Sequence, residues 1–180
     1  MNHLPLQGVR ILEFGGYIAG PYATTILAGL GAEVVKVESP DGGDPFRRGD
    51  ENRSPYFIQY NAGKKSIAID LKRSAGVKLV LSLLPRFDVL VENLRPGKLS
   101  AIGLGPDVCR SHNAALIYAS VTGFGSGGPL VDRPAYDTIG ASLGGLYSVM
   151  SDPGTAQLAG TCLGDLITGI ITATGVRAAR

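Results

Sequence analysis

The stretch "GVRILEFGGYIAGPYATTILAGLGAEVVKVE", residues 8–38, constrains the fold more than any other part of the chain. Residues 9–14 form a short apolar-rich run ending at Gly15 and Gly16, and "EVVKVE" at 33–38 alternates like a second strand. Between them, "PYATTILAGL" reads as a helix, with Pro21 suited to its first turn and Gly31 to its end. Strand, glycine turn, helix and strand make a βαβ unit. Its crossover is right-handed and its strands parallel, and ligands bind such sheets at the strands' carboxyl ends. The "GGYIAGP" turn therefore lies where a ligand can approach backbone, although tight turning alone also accounts for the glycines.

The same alternation continues. Residues 42–55 are rich in Gly, Pro and charge and read as a loop. "KKSIAIDLK" (64–72) reads as a strand, and residues 74–87 as a helix through Val77, Leu81 and Leu84 before Pro85. "DVLVEN" (88–93) follows as a strand, then a helical patch over 107–112 and a buried strand in "AALIYASVTGFG". This order predicts an α/β fold with a doubly wound, Rossmann-like parallel sheet and helices on both faces. A chain of 180 residues with 44% hydrophobic content suits one domain. Two small-residue-rich helices are expected beyond the sheet, in "AYDTIGASLGGLYSVM" and "LGDLITGIITATGV".

Composition narrows the function. A net charge of +2 spread along the chain marks no nucleic-acid surface. No apolar run approaches the ~20 residues of a membrane span. Cys109 and Cys162 lack metal or redox spacing, and the first residues lack a secretory pattern, so no metal and a cytoplasmic setting are expected. Gly123, Gly125 and Gly128 match a dinucleotide fingerprint only superficially, because Pro129 blocks the helix that must follow.

Each of the last two helices carries an acid near its start, Asp137 and Asp165. Capping and the helix dipole explain such placements without any chemistry. Asp165 differs in its setting: in "TCLGDLITG" a carboxylate facing a crevice is partly desolvated and available as a nucleophile or base.

Taken in order, "LEFGGYIAGPYAT", "LGAEVVKVESPDGGDPFR", "NAGKKSIAIDLK", "DVLVENLRPGKLSAIGLG", "LIYASVTGFGSGGPLVDRPAYDTI" and "LGDLITG" cover nearly the whole chain. In them it resembles the class III coenzyme A transferases of the CaiB/BaiF type. The resemblance implies that an aspartate, here Asp165, attacks an acyl-CoA thioester to form a mixed anhydride. CoA then passes to a free carboxylic acid. It implies that Asp137 supports, that Gly16, Tyr17, Ile18, Ala19 and Tyr136 surround the thioester end, and that Ile69, Lys72, Asn93, Leu94 and Arg95 meet the nucleotide end of CoA. Coenzyme A is then a substrate, with no permanently bound cofactor.

Three departures qualify the resemblance. Ile18 stands where some relatives carry glutamine, Ser39 where some carry a basic residue, and Tyr136 where the related acyl-CoA racemases carry histidine. Neither His3 nor His112 replaces that histidine, so transfer is preferred to racemisation; a non-catalytic CoA-binding fragment is the third alternative. Family members are longer, so residues 1–180 are expected to be the N-terminal portion of the CoA-binding large domain, with the small domain and half of the expected site absent and the activity of this chain alone left open. A homodimer, or association with the missing half, is expected as partner, alongside acyl-CoA and a small carboxylic acid.

Overall fold

The structure, a computed structural model, describes residues 4–47, 54–152, 154 and 160–180. His3 and the middle of the predicted 42–55 loop lie outside the described residues. Five strands form one sheet in the order β3-β2-β1-β4-β5, every neighbouring pair parallel. They are β1 (Arg10–Phe14), β2 (Glu33–Glu38), β3 (Lys65–Ala68), β4 (Val89–Glu92) and β5 (Ile117–Ser120). The chain winds outward from β1 through β2 to β3, then returns to β4 on the other side of β1. That reversal puts the topological switch point between β1 and β4, as the predicted doubly wound sheet requires.

Side chains of a strand alternate between faces, and both faces of β1, β2 and β4 are covered, whereas β3 and β5 are edge strands; β5, expected to be buried, is half-buried with Ser120 exposed. Leu12 and Phe14 of β1 join Val37 and Leu90 in one core. Val80 of α3 (Ser74–Leu83), Leu99 of α4 (Lys98–Ala101) and Cys109 of α5 (Pro106–His112) cover it. Ile11 joins Val34, Val89 and Val91 in the other core. Ala23 and Leu27 of α1 (Ala19–Gly29) and Ala173 and Val176 of α8 (Leu163–Ala178) cover that face.

The elements differ from expectation mainly at their ends. α1 starts at Ala19, so Pro21 is its third residue, and Gly31 closes it with φ +105°, a conformation a side chain would resist. β3 ends at Ala68, and Lys72 lies in the following turn with its N–H donating to Asp70 Oδ1 at 3.0 Å. The helix expected over 135–150 is instead α6 (Asp137–Leu143) and α7 (Leu146–Met150), broken at the Gly144–Gly145 pair, where Gly145 has φ +75°. α2 (Pro55–Asn61) was not expected; Ser54 caps it by accepting from the Phe57 N–H at 3.5 Å, and Pro55 begins it. Among the described residues no helix is long and apolar enough to cross a membrane, and no cluster of His, Cys, Asp and Glu could hold a metal ion.

Candidate active site

A cleft of about 650 Å³ opens at the carboxyl ends of the strands. Phe14 pairs with Glu92 at the end of β1 and β4, so Gly15 and Asn93 are the next residues on either side of the switch point. Asn93 joins the two halves. Its Oδ1 accepts from the Gly16 N–H at 3.0 Å and its Nδ2 donates to the Gly16 carbonyl at 2.9 Å. The glycines around it make room for that side chain: a Cβ on Gly15 would stand 2.7 Å from Asn93 Oδ1, and one on Gly20 2.9 Å from Asn93 Cγ. At Gly15 and Gly20 the close neighbour that excludes a side chain is therefore Asn93 of the protein itself.

Four buried charges sit behind this turn. Glu13 of β1 and Lys36 of β2 are cross-strand neighbours, with Nζ 2.6 Å from Oε1. Lys36 also contacts Asp44 Oδ2 and donates to the Gly15 carbonyl, each at 2.8 Å. Lys64 donates to Glu13 Oε2 at 2.9 Å and to the Pro21 carbonyl at 2.7 Å. Burial pushes the Glu13 pKa up, but the two ammonium groups and the Thr24 hydroxyl outweigh it and hold the carboxyl below its ordinary value. For Lys36, burial is outweighed by Glu13 and Asp44, and the pKa is raised. Isolated buried ions are costly, so pairing is what allows these four to lie under the turn.

Tyr17 is the one non-glycine residue with positive φ among those described, at 62°. Such a conformation costs on the order of 1 kcal/mol and persists when its surroundings demand it. Here the Tyr17 ring stands edge-on to Phe46 and Tyr136, with centroids 5.4 and 6.0 Å away. The strained residue thus joins the turn to the loop after β2 and to the entrance of α6. Ile18 and Ala19 beside it are buried.

α8 brings the second acid to the cleft. It lies along α1 because Gly169 has no side chain: a Cβ there would be 2.8 Å from the Tyr22 ring and 3.1 Å from the Ala19 carbonyl oxygen. Asp165, one turn earlier, is in consequence carried to the level of the glycine turn. Asp137 does not cap its own helix. Its Oδ1 accepts from the Asp165 N–H at 3.0 Å, capping α8 from outside, and Gly164 leaves the space, since its Cβ would meet that oxygen at 3.0 Å. Burial, and then the Asp137 charge, push the Asp165 carboxyl up to about 6. At neutral pH it is largely ionised yet poorly solvated, which suits a nucleophile.

Every residue singled out from the sequence lines this one cleft: Gly16, Tyr17, Ile18, Ala19, Ile69, Lys72, Asn93, Leu94, Arg95, Tyr136, Asp137 and Asp165. Their side chains are not equally free. Asn93 is committed to Gly16, Ile69 is buried in the core, and Lys72 is exposed and paired with Asp41 at 3.1 Å. Asp44, Pro45, Lys98, Arg133 and Thr168 also line the cleft and were missed. Thr168 stands one helical turn after Asp165, a spacing visible in the sequence; Asp44 and Arg133 lie in loops whose path it does not show.

Comparison with known proteins gives concordant results. A family model described as CoA-transferase family III matches residues 6–180. The chain is 38% identical to the succinate–glutarate CoA-transferase of Agrobacterium fabrum over 97% of its own length and 46% of that protein's. It is 41% identical to human succinyl-CoA:glutarate CoA-transferase over 94% of its length and 40% of the relative's. A CAIB/BAIF family protein from Brucella suis superposes with a TM-score of 0.92 at 34% identity, covering 99% of this chain and 49% of that one. Rv3272 from Mycobacterium tuberculosis superposes at 0.90 with 40% identity, over 97% of this chain and 49% of the other. The chain thus spans less than half the length of these relatives.

Proposed function

The chain belongs to CoA-transferase family III, and from that premise we propose that it carries the acyl-accepting half of a CoA-transferase site, with Asp165 as nucleophile. A carboxylate oxygen of Asp165 adds to the thioester carbonyl of an acyl-CoA, the C–S bond breaks, and CoA leaves as the thiolate. The product is a mixed anhydride between Asp165 and the acyl group. The acceptor carboxylate then attacks the Asp165 carbonyl of this anhydride, the donor acid leaves as its free carboxylate, and CoA thiolate attacks the new acyl carbonyl, breaking its bond to Asp165 and regenerating the Asp165 carboxylate. No net proton is consumed.

One observation carries this reading: a half-buried carboxyl, raised to about 6, lies in the cleft at the switch point. Partial desolvation makes the carboxylate reactive, while the raised value leaves it ionised at neutral pH. Asp137 has a supporting role through the Asp165 N–H, and the Tyr17 and Tyr136 rings form an aromatic wall beside the thioester. Lys72 and Arg95, on the β3 and β4 side of the cleft, take the nucleotide phosphates. The reading extends to association. Leu143, Val149 and Ile171 are exposed at 67%, 84% and 65%, and we assign them to contact with a second copy or with the half that the relatives possess.

The test is to incubate the protein, purified at its native length, with acyl-CoA. The adduct is trapped with hydroxylamine or borohydride and mapped by mass spectrometry. Label on Asp165 supports the reading; label on Asp137, or turnover retained in Asp165→Asn, refutes it.

A further inference from the structure

The buried charges behind the glycine turn have no part in the anhydride chemistry, yet they grip the turn at both ends. The Lys36 ammonium holds the Gly15 carbonyl, where β1 gives way to the turn. The Lys64 ammonium holds the Pro21 carbonyl, in the first turn of α1. Both share Glu13, and Lys64 further donates to Asn61 Oδ1 at 3.3 Å. The Lys64 side chain is only 2% exposed, although it belongs to an otherwise exposed "GKK" run.

We propose that Lys64 is a positioning residue of the cleft: its ammonium ties the start of α1 to Glu13 of β1, fixing residues 16–19 where the substrate lies, and loss of its proton releases that end of the turn. The functional consequence rests on the reading of the cleft as the thioester site; the structural claim does not.

The two lysines are not equivalent. Lys36 lies between two carboxylates, Glu13 and Asp44, and keeps its proton. Among the described residues Lys64 is salt-bridged to Glu13 alone. The charged groups around it, among the described residues, are Glu13 from β1, Lys36 from β2 and Asp44 from the loop after β2; Asn61 from α2 and the Pro21 carbonyl from α1 are neutral. Burial lowers its pKa, Glu13 opposes and Lys36 assists, and the result is about 8. Raising the pH past this point leaves Glu13 and Asp44 with one ammonium between them. The Pro21 carbonyl, which the Thr24 and Thr25 hydroxyls also approach at 3.0 and 2.9 Å, then loses its one charge-assisted donor among the described residues.

Amide hydrogen exchange on the ligand-free chain between pH 6.5 and 9 tests this, with rates corrected for intrinsic base catalysis. Peptides covering residues 15–25 are expected to lose protection about tenfold with a midpoint near 8, while α3 and β4 stay unchanged. Lys64→Met is expected to be unprotected in that segment at every pH, and Lys64→Arg to restore protection and flatten the profile. A flat wild-type profile over 15–25, or an equal loss in all segments, overturns the proposal whether or not the variants fold. Calorimetric titration with CoA at pH 7 and 9 runs alongside. Wild type that binds no CoA at either pH refutes the reading of the site, and the exchange data still decide the role of Lys64.

Discussion

Asp137 Oδ1 accepts a hydrogen bond from the backbone N–H of Asp165 at 3.0 Å, so the carboxylate that caps α8 is also the charge that, after burial, adds to the raised Asp165 pKa. The two effects separate by substitution. Asp137→Asn keeps an oxygen for the cap and removes the charge. The Asp165 midpoint is expected to move down but to stay above its ordinary value, because burial is the larger cause. Asp137→Ala also removes the cap and should cost about 1 kcal/mol of stability. Carbon-detected NMR titration of Asp165 and denaturant unfolding of both variants check this pair; equal stability losses would show that the bond is not a cap.

Asp165 itself couples stability to pH. Its folded-state value of about 6 lies above the ordinary 3.8, so the native state holds a proton that the unfolded chain releases. The associated stabilisation is complete below about 4 and is lost as pH rises through 6. Asp165→Asn does not titrate. It should therefore gain on wild type by about 1–2 kcal/mol between pH 4 and 7, after allowance for partial exposure. Urea unfolding at several pH values reads this directly, and a pH-independent difference would mean that the carboxyl is not perturbed in the fold.

Gly169 tests the contact that carries Asp165 to the cleft. Gly169→Ala places a methyl 2.8 Å from the Tyr22 ring and 3.1 Å from the Ala19 carbonyl oxygen. Ala is the better helix former by about 1 kcal/mol, so a surface glycine would gain from this change. Here overpacking at a buried helix crossing is expected to win, with a net loss of about 1–3 kcal/mol. A Tm at or above wild type would show that α8 is not held against α1 at this point.

The parts legible in the sequence were those written locally. The "FGGYIAGP" turn, the alternation of strand and helix, and an acid isolated in "TCLGDLITG" are each visible within a dozen residues, and each occupies its expected place. What escaped depends on distant partners. Asn93 meets Gly16 across 77 positions and Lys64 meets Glu13 across 51, so neither the reason for the glycines nor the buried charges could be read locally. A signal for the latter was present: Glu13 and Lys36 interrupt strands that a parallel sheet buries on both faces, where a charge requires a partner. The Ser54–Pro55 start of α2 was passed over because it ends a Gly- and charge-rich run, and the Gly144–Gly145 break because small residues also suit close helix packing.

Glu38, the last residue of β2, governs the opposite wall of the cleft. Its Oε1 accepts from the Asp44 N–H at 2.9 Å and Arg47 Nε at 2.7 Å, and its Oε2 from Arg47 Nη2 at 2.7 Å and the Ser66 hydroxyl. Burial pushes the carboxyl up, but these donors outweigh it and hold it at about 2. The sign is opposite to that of Asp165. The stabilisation is complete above the ordinary value of 4.5 and is lost as pH falls toward 2. Because Asp44 and Pro45 line the cleft, this loss should open its wall before the sheet melts. Glu38→Gln is expected to lower stability by about 1–2 kcal/mol at pH 7 and to converge on wild type near pH 2–3, since it leaves Arg47 without its bidentate partner. Unfolding curves at pH 7, 4.5 and 3 measure the convergence; a constant gap across that range would assign the effect to packing instead of the carboxylate charge.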